Sequence, residues 1–183
     1  MKKSKVYFML CFVILSIQLN AQESTSVPIQ YDKITIGIGF GQDYGGIGVN
    51  LTVYPLKSIG IFGGLGYNMV GAGYNVGAKL RLVSAKPTAK VTPYALGMYG
   101  YNAVIRVSGA SQYNKVFYGP TFGIGIDYKS YPRSKMYYSF AIMVPIRGSE
   151  VEDYMDDLKT NHNVTFSSDL FPLTFSVGFK YIL

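Results

Sequence analysis

The chain has 183 residues, a formal net charge of +7 at pH 7, one cysteine and one histidine. A single cysteine excludes an intramolecular disulfide framework and a multi-thiolate metal site. The length suits one domain, and no segment after residue 21 is a long unbroken apolar run, which excludes helical membrane spans.

Residues 1–21 are predicted to be a secretory signal peptide. A basic start with three lysines precedes the apolar stretch 6–17, and Ala21 is a small residue at the expected cleavage site. This order is typical of export signals. The apolar stretch is also shorter than the roughly twenty residues that a membrane-spanning helix needs.

Removal of this signal changes the composition of the mature chain. Cys11 leaves with it, so the mature chain has no thiol for catalysis or metal binding. The loss of three lysines and no acid lowers the net charge from +7 to +4. No basic cluster interleaved with aromatic residues remains, which argues against nucleic acid as a partner. Residues 22–32 are then a short periplasmic lead-in, and residues 33–183 form one domain.

The remaining chain is predicted to form eight β-strands. Apolar residues alternate with glycine or polar residues at a period of two, and turn-forming residues separate these runs. This period is typical of strands with two unlike faces. The predicted strands are Lys33–Gly41, Tyr44–Tyr54, Ile59–Met69, Tyr74–Val83, Val91–Ala103, Val116–Lys129, Met136–Ile146 and Pro172–Leu183.

Charge is almost absent from both faces of these strands. Between Ile34 and Ala78 the only charged residues are Asp43 and Lys57, and both fall at predicted turns. A sheet with one face in water would carry Lys, Glu or Asp along that face. We therefore predict an all-β fold, an antiparallel up-and-down transmembrane β-barrel with one face toward lipid and one lining a narrow lumen.

The face toward lipid follows from the alternation in each strand. We expect outward side chains that include Ile36, Leu51, Ile124 and Val177, with Gly37, Asn50, Gly123 and Ser176 inward. In the fifth strand the larger residues are assigned outward, namely Tyr94, Leu96 and Met98. Their neighbours Ala95, Gly97, Tyr99 and Tyr101 are then inward.

Strand length and number fit an outer-membrane barrel. Strands of about ten residues match a tilted bilayer crossing, and an even number places both termini on one side, here the periplasm. The connections that contain Pro55, Pro87 and Pro132 then face the periplasm, and the two longest connections face outward. Ten strands are the alternative if part of 147–171 pairs.

Two belts of aromatic residues are expected on the lipid-facing side, because amphipathic rings concentrate at both membrane interfaces. The outer belt consists of Phe40, Tyr67, Tyr74 and Tyr118, and the periplasmic belt of Tyr94, Tyr128, Tyr138 and Tyr181.

The last residues of the chain match an assembly signal. Ser176, Gly178, Tyr181 and Leu183 fit the pattern of polar, aromatic and terminal apolar residues that the outer-membrane barrel assembly machinery reads. With the eight-strand pattern, the chain resembles the small OmpA/OmpX-like barrels of the Gram-negative porin-family group. The resemblance implies an outer-membrane barrel domain that contacts lipids and lipopolysaccharide, and it carries no shared catalytic residues.

Charged residues of the inward parity form a candidate lumen cluster. Because Asp127 is the only acid assigned to this face, we expect Lys79 or Arg81 to reach it across the lumen. The cluster is either a structural plug of ion pairs or a gate or anion-attracting vestibule. Its members are Lys33, Lys79, Arg81, Asp127, Lys129 and Lys180.

The long loop 147–171 contains a second candidate site, an acidic segment with the only histidine. Ser149 and Glu152 have the spacing of a capping box, and apolar residues follow at helical intervals, namely Val151, Tyr154, Met155 and Leu158. We expect a short amphipathic helix that serves as a solvated lid, holds divalent cations that bridge lipopolysaccharide phosphates, or meets a partner. The polar residues are Glu150, Glu152, Asp153, Asp156, Asp157 and His162.

The predicted function is that of a monomeric outer-membrane barrel with a structural or surface-interaction role and at most a narrow pore. We expect no enzymatic activity and no cofactor or metal. Three alternatives stay open: a lipid A acyl hydrolase that uses His162 with Ser167, Ser168 and Asp169, a small-solute porin, and a soluble ligand-carrying barrel.

Overall fold

The computed structural model describes residues 33–83, 89–107, 109–162, 164, 166 and 170–183. Each strand pairs antiparallel with the next and the last pairs with the first, which closes an eight-stranded barrel. The strands are β1 (Ile34–Gly41), β2 (Gly46–Val53), β3 (Ile59–Tyr67), β4 (Ala72–Arg81), β5 (Val91–Ile105), β6 (Lys115–Tyr128), β7 (Met136–Pro145) and β8 (Thr174–Ile182).

The predicted fold class and strand number are confirmed. The ten-strand alternative is wrong, because the connection between β7 and β8 contains a helix, α1 (Ser149–His162), and no strand among its described residues. The predicted signal 1–21 and lead-in 22–32 lie outside the described residues, as does Pro87. In the described part of the chain, no helix has the length and apolarity that a membrane crossing requires.

The barrel has two unlike ends. We call the end where β1 begins and β8 ends the terminal end, and there the amide of Leu183 donates to the carbonyl of Ile34 at 3.0 Å. Its connections are the short segments 54–58, 82–90 and 129–135. The opposite end, which we call the helical end, has α1 and two short 3-10 helices, Gln42–Tyr44 and Ser111–Tyr113.

The predicted alternation of faces is confirmed for seven of the eight strands, because the apolar parity points outward in all but β5. At mid-wall the outward Ile124 is 69% exposed, whereas Asn50 and Ser176 on the inner face are buried. Neighbouring strands keep the same faces in register, as in the pair formed by Ile36 and Leu51. The outer wall is therefore a continuous apolar surface, whereas the interior contains both polar and apolar side chains.

The face assigned to β5 is wrong from Tyr94 to Tyr99, whereas Tyr101, beside a β-bulge, is buried as expected. Tyr94, Leu96 and Met98 point into the barrel and are buried, whereas Ala95 and Tyr99 point outward. Apolar residues occupy both parities of this strand, so alternation alone could not choose between them. The choice depends on the two neighbouring strands, where glycines leave room for large side chains. A Cβ at Gly125, for example, would lie 2.5 Å from the Tyr94 ring.

The prediction that both aromatic belts face outward is therefore confirmed only in part. Tyr94 is 4% exposed and belongs to the interior, so its place in the belt at the terminal end is a wrong prediction. The other residues of the two belts are on the outer wall, namely Phe40, Tyr67, Tyr74, Tyr118, Tyr128, Tyr138 and Tyr181.

The hairpin of β5 and β6 extends beyond the barrel at the helical end and supports α1. A β-bulge between Tyr101 and Ala103 shifts the register where the hairpin leaves the wall. The predicted amphipathic helix is confirmed, because one apolar face of α1 is buried against this hairpin. The cluster consists of Ala103, Ile105, Phe117, Val151, Met155 and Leu158.

Candidate functional site

Buried charges form an ion cluster in the half of the lumen toward the terminal end. Asp127 on β6 accepts hydrogen bonds from Lys79 Nζ at 2.8 Å and Arg81 Nε at 2.9 Å. Ser139 Oγ donates to the same carboxylate at 2.8 Å. Lys79 and Arg81 occupy successive inward positions of β4, so the alternation of one strand presents both cations to one acid. Asp127 therefore pairs with both of its predicted partners, Lys79 and Arg81.

Aromatic side chains hold the two cations in place. The Lys79 ammonium lies 3.5 Å from the centroid of the Tyr94 ring. The Arg81 guanidinium lies 3.9 Å from the Tyr54 ring and donates to the Tyr137 hydroxyl at 2.9 Å. Cation–π contacts are strongest where water is excluded, as in this interior. Tyr94, which was predicted to point outward, therefore points inward and is part of this cluster.

Lys180 occupies a separate position in the lumen, whereas one predicted member lies outside the lumen and another lies at its terminal end. The Lys180 ammonium donates to Asn50 Oδ1 at 2.6 Å and to Thr52 Oγ1 at 3.1 Å. Lys33 is exposed at the terminal end, since it precedes β1, so its assignment to the lumen is wrong. Lys129 is half-buried at the same end, 5.9 Å from the Tyr137 ring.

A second acid, Asp43, lies in the lumen, so the expectation that Asp127 is alone there is wrong. The 3-10 helix Gln42–Tyr44 folds from the helical end into the barrel, and all three of its residues are buried. Gly41, Gly45 and Gly46 make this reversal possible with φ values of 136°, 73° and 108°, which side chains disfavour.

Polar side chains of several strands fix this inward turn. Asn50 Nδ2 donates to the carbonyl of Asp43, and Asn75 Nδ2 donates to the carbonyl of Gln42, each at 2.6 Å. Ser176 Oγ donates to the Asp43 carboxylate. The turn is therefore bonded to β2, β4 and β8, and it fills the part of the lumen near the helical end. We call it the Gln42–Tyr44 plug.

Tyr44 is the central side chain of the plug and is fully buried. It packs against glycines of two neighbouring strands, since a Cβ at Gly39 would lie 2.8 Å from its ring carbons and one at Gly178 would overlap its hydroxyl. Sequence reasoning placed Tyr44 in β2 and missed this role. The sequence did contain an indication of this role. Several glycines at inward-facing positions imply that a bulky group lies against them.

The predicted assembly signal has a structural use in β8. Ser176 and Gly178 face inward, where one binds Asp43 and the other makes room for Tyr44. Tyr181 and Leu183 face outward and are exposed. Recognition by the assembly machinery stays a prediction.

The acidic residues of α1 are exposed on the face that points away from the hairpin. Asp156 pairs with Lys159 at 3.2 Å, and Asp157 accepts a hydrogen bond from Asn161 Nδ2 at 2.7 Å. Glu150, Glu152 and Asp153 are exposed as well. Among the described residues, no three His, Cys, Asp or Glu side chains converge as a metal site. A cation site on α1 thus has no geometric support.

His162 lies at the end of α1 and contacts an aromatic residue. Its Nδ1 is 3.1 Å from the Tyr113 hydroxyl, and the two ring centroids are 4.6 Å apart. The other members of the hypothetical hydrolase group, Ser167, Ser168 and Asp169, lie outside the described residues.

Comparisons with known proteins give similarity at the level of structure alone. No protein-family profile and no curated protein matches the chain. One similar solved structure is the N-terminal β-barrel domain of Pseudomonas aeruginosa OprF, with 10% identity and a TM-score of 0.49 over 84% of this chain and 100% of that one. A de novo designed transmembrane β-barrel has 14% identity and a TM-score of 0.45 over 84% of this chain and 98% of that one. The function therefore has to be inferred from this chain's own residues.

Proposed function

We propose that the chain is a monomeric integral outer-membrane β-barrel with a structural or surface-interaction role and a closed lumen. The observation that carries the proposal is the composition of the outer wall. Every strand exposes large apolar side chains there, from Ile38 on β1 to Val177 on β8. The charged strand residues that point into the barrel are buried, namely Lys79, Arg81, Asp127 and Lys180. In water this arrangement is unfavourable, because burying one such side chain is worth about 1.5–3 kcal/mol.

Contact with the hydrocarbon core of a bilayer makes an apolar outer wall favourable, and no further protein is needed to cover it. A closed barrel satisfies all of its strand hydrogen bonds internally, as the hydrocarbon core requires. Aromatic residues on the outer wall near both ends, such as Tyr74 and Tyr138, suit the two interfaces. In this proposal the terminal end faces the periplasm and α1 faces the cell exterior, because short turns are typical of the periplasmic side.

The filled lumen favours a structural or surface role over a porin. The Gln42–Tyr44 plug, the ion cluster at Asp127 and an apolar cluster that includes Phe62, Leu96 and Met143 occupy successive parts of the interior. Eight strands enclose a space that side chains can fill completely. We therefore expect planar-bilayer recordings to show no stable single-channel steps, and regular steps would instead support a small-solute pore.

Gel migration and membrane extraction test the membrane assignment. The detergent-folded chain should migrate differently in SDS gels before and after boiling, because a closed barrel resists SDS until it is heated. Membranes that contain the chain should retain it during a carbonate wash and release it in detergent. Release by carbonate alone would support a soluble ligand-carrying barrel and contradict the proposal.

We also propose that the exposed acidic face of α1 meets a surface partner and that the chain is not an enzyme. The acids of this face point outward and their apolar neighbours fix the helix, which suits recognition. The lipid A profile of cells that express His162→Ala should equal that of the wild type. A changed profile would instead support an acyl hydrolase.

A further inference from the structure

The charged side chains that the structure describes outside the lumen at the terminal end are all basic. The connections 54–58, 82–90 and 129–135 contain lysine and arginine but no aspartate or glutamate. We call the described cations of this end the basic rim. It consists of Lys33, Lys57, Lys90, Lys129, Arg133 and Lys135, of which all but the half-buried Lys129 are exposed.

The helical end has the opposite balance. Its connections 42–45, 68–71, 106–114 and 146–173 contain seven of the ten acids of the chain and only three lysines or arginines. The barrel is therefore polarised along its axis. Among the described residues, no acid side chain lies beside Lys33, Lys90, Arg133 or Lys135, since the acids of α1 lie at the other end and Asp43 and Asp127 are buried in the lumen.

Exposed apolar side chains lie among the cations of the basic rim. Leu56 is next to Lys57 in one turn, Leu82 and Val83 follow β4, and Tyr131 lies between Lys129 and Arg133. Cations at the ends of an apolar wall can extend toward headgroups while neighbouring apolar and aromatic groups enter the acyl region. The Lys135 ammonium, 6.0 Å from the outward Tyr181 ring, has this arrangement.

We propose that the basic rim binds the headgroups of anionic phospholipids in the leaflet at the terminal end. This inference rests on the proposed membrane function. The ligand chemistry is a phosphate diester with net negative charge, held by several lysines and arginines that act as point charges. The apolar side chains favour a lipid over a soluble polyanion, because a soluble polyanion offers nothing for Leu56 or Tyr131 to contact. The acids of α1 would repel the same lipids from the helical end, so the surface also orients the barrel.

Lipid retention by the folded barrel tests this assignment. The full mature chain, folded in a neutral detergent, is titrated with phosphatidylglycerol or with phosphatidylcholine of the same acyl chains, and bound lipid is measured by native mass spectrometry. We expect the wild type to prefer phosphatidylglycerol. Each cation near a membrane surface contributes about a fivefold change in association.

The test variant combines Lys90→Gln, Arg133→Gln and Lys135→Gln. Its matched control removes the same charge from the helical end, through Arg106→Gln, Lys115→Gln and Lys159→Gln, all of them exposed residues. The rim variant should lose at least about tenfold in preference for phosphatidylglycerol, whereas the control should keep it. Heat-modifiable migration of both variants verifies that they are folded.

Three results would overturn the assignment. Equal retention of the two lipids by a folded, heat-modifiable wild type removes the lipid surface and leaves the barrel proposal intact. Displacement of phosphatidylglycerol by polyphosphate at equal phosphate concentration shows recognition of charge alone. A chain that shows no heat-modifiable form in either lipid contradicts the membrane function, and this inference fails with it.

Discussion

The inner and outer faces of the barrel wall are built from the same strands but follow different rules. On β4, Lys79 is 4% exposed and adjacent Leu80 is 51% exposed. In a protein whose outer surface meets water, the charged residue would be exposed and the apolar one buried. The outer face requires only apolar character, because each side chain there acts nearly alone. The inner face requires particular partners, because a charge such as Lys79 is tolerated only beside Asp127. Substitutions on the two faces should therefore differ in size and in cause.

The largest effect is expected for Asp127→Asn. It removes the acid that pairs with both Lys79 and Arg81 and leaves two buried cations without their counter-charge. Loss of one partner from a buried ion pair costs about 3–5 kcal/mol. The free energy of unfolding, from reversible urea titration of the barrel in phosphatidylcholine vesicles, should fall by this amount. A loss below about 1 kcal/mol would mean that water, not Asp127, stabilises the cations.

A charge on the outer face should be the next most costly change. Ile124 is 69% exposed at mid-wall, so Ile124→Arg would cost almost nothing if this face met water. At the bilayer midplane the same change costs about 2–4 kcal/mol. Urea titration in vesicles measures it, with Tyr131→Arg in the turn at the terminal end as the control, for which about 0–1 kcal/mol is expected. Equal small effects at both positions would contradict lipid contact.

Steric fit of the plug should give an intermediate effect at Gly178. A Cβ there would overlap the Tyr44 hydroxyl, so Gly178→Ala should cost about 1–3 kcal/mol in urea titration. In a Tyr44→Ala background most of this cost should disappear, because the clashing group is gone.

The matched control for Gly178→Ala is Gly63→Ala on the outer wall. A Cβ at Gly63 would meet no atom within 4 Å, so its stability should change little. Equal losses at the two glycines would mean that backbone freedom, not the plug, explains the cost at Gly178.

The smallest effect is expected for Asp156→Asn on α1. Its ion pair with Lys159 is exposed and spans three residues of a helix, and such pairs contribute about 0.2–0.5 kcal/mol. Urea titration should therefore place this variant within error of the wild type. A loss comparable to that of Asp127→Asn would show that α1 has a structural role beyond its packing on the hairpin.

Strand number and most faces could be predicted because a period of two with turn residues between runs is a local signal. The helix α1 was predictable for the same reason, since Val151, Met155 and Leu158 repeat at helical intervals and are buried as expected. In β5 the signal was absent, because both parities are apolar. Tyr94 and Met98 face inward only because glycines of other strands leave room for them.

The candidate site was predictable only in outline. Asp127 and the cations of β4 all fall at inward-facing positions. Their contact could be predicted, since an unpaired buried charge is unfavourable. The entry of Asp43 and Tyr44 into the lumen had no local pattern, because a turn of three residues can lie outside or inside a barrel. The hydrogen bonds from Asn50, Asn75 and Ser176 decide that it lies inside.

An antiparallel barrel with eight strands, the faces of seven of them, and the separation of basic and acidic connections can all be read from the order of residues along the chain. These features follow from periodicity and position along the chain, which neighbouring residues fix. The contents of the barrel become visible only in the folded chain. The fit of Tyr44 against Gly39 and Gly178 and the inward face of β5 depend on residues that are distant in sequence. Space inside a closed wall is shared by all eight strands, so no single strand can specify its contents.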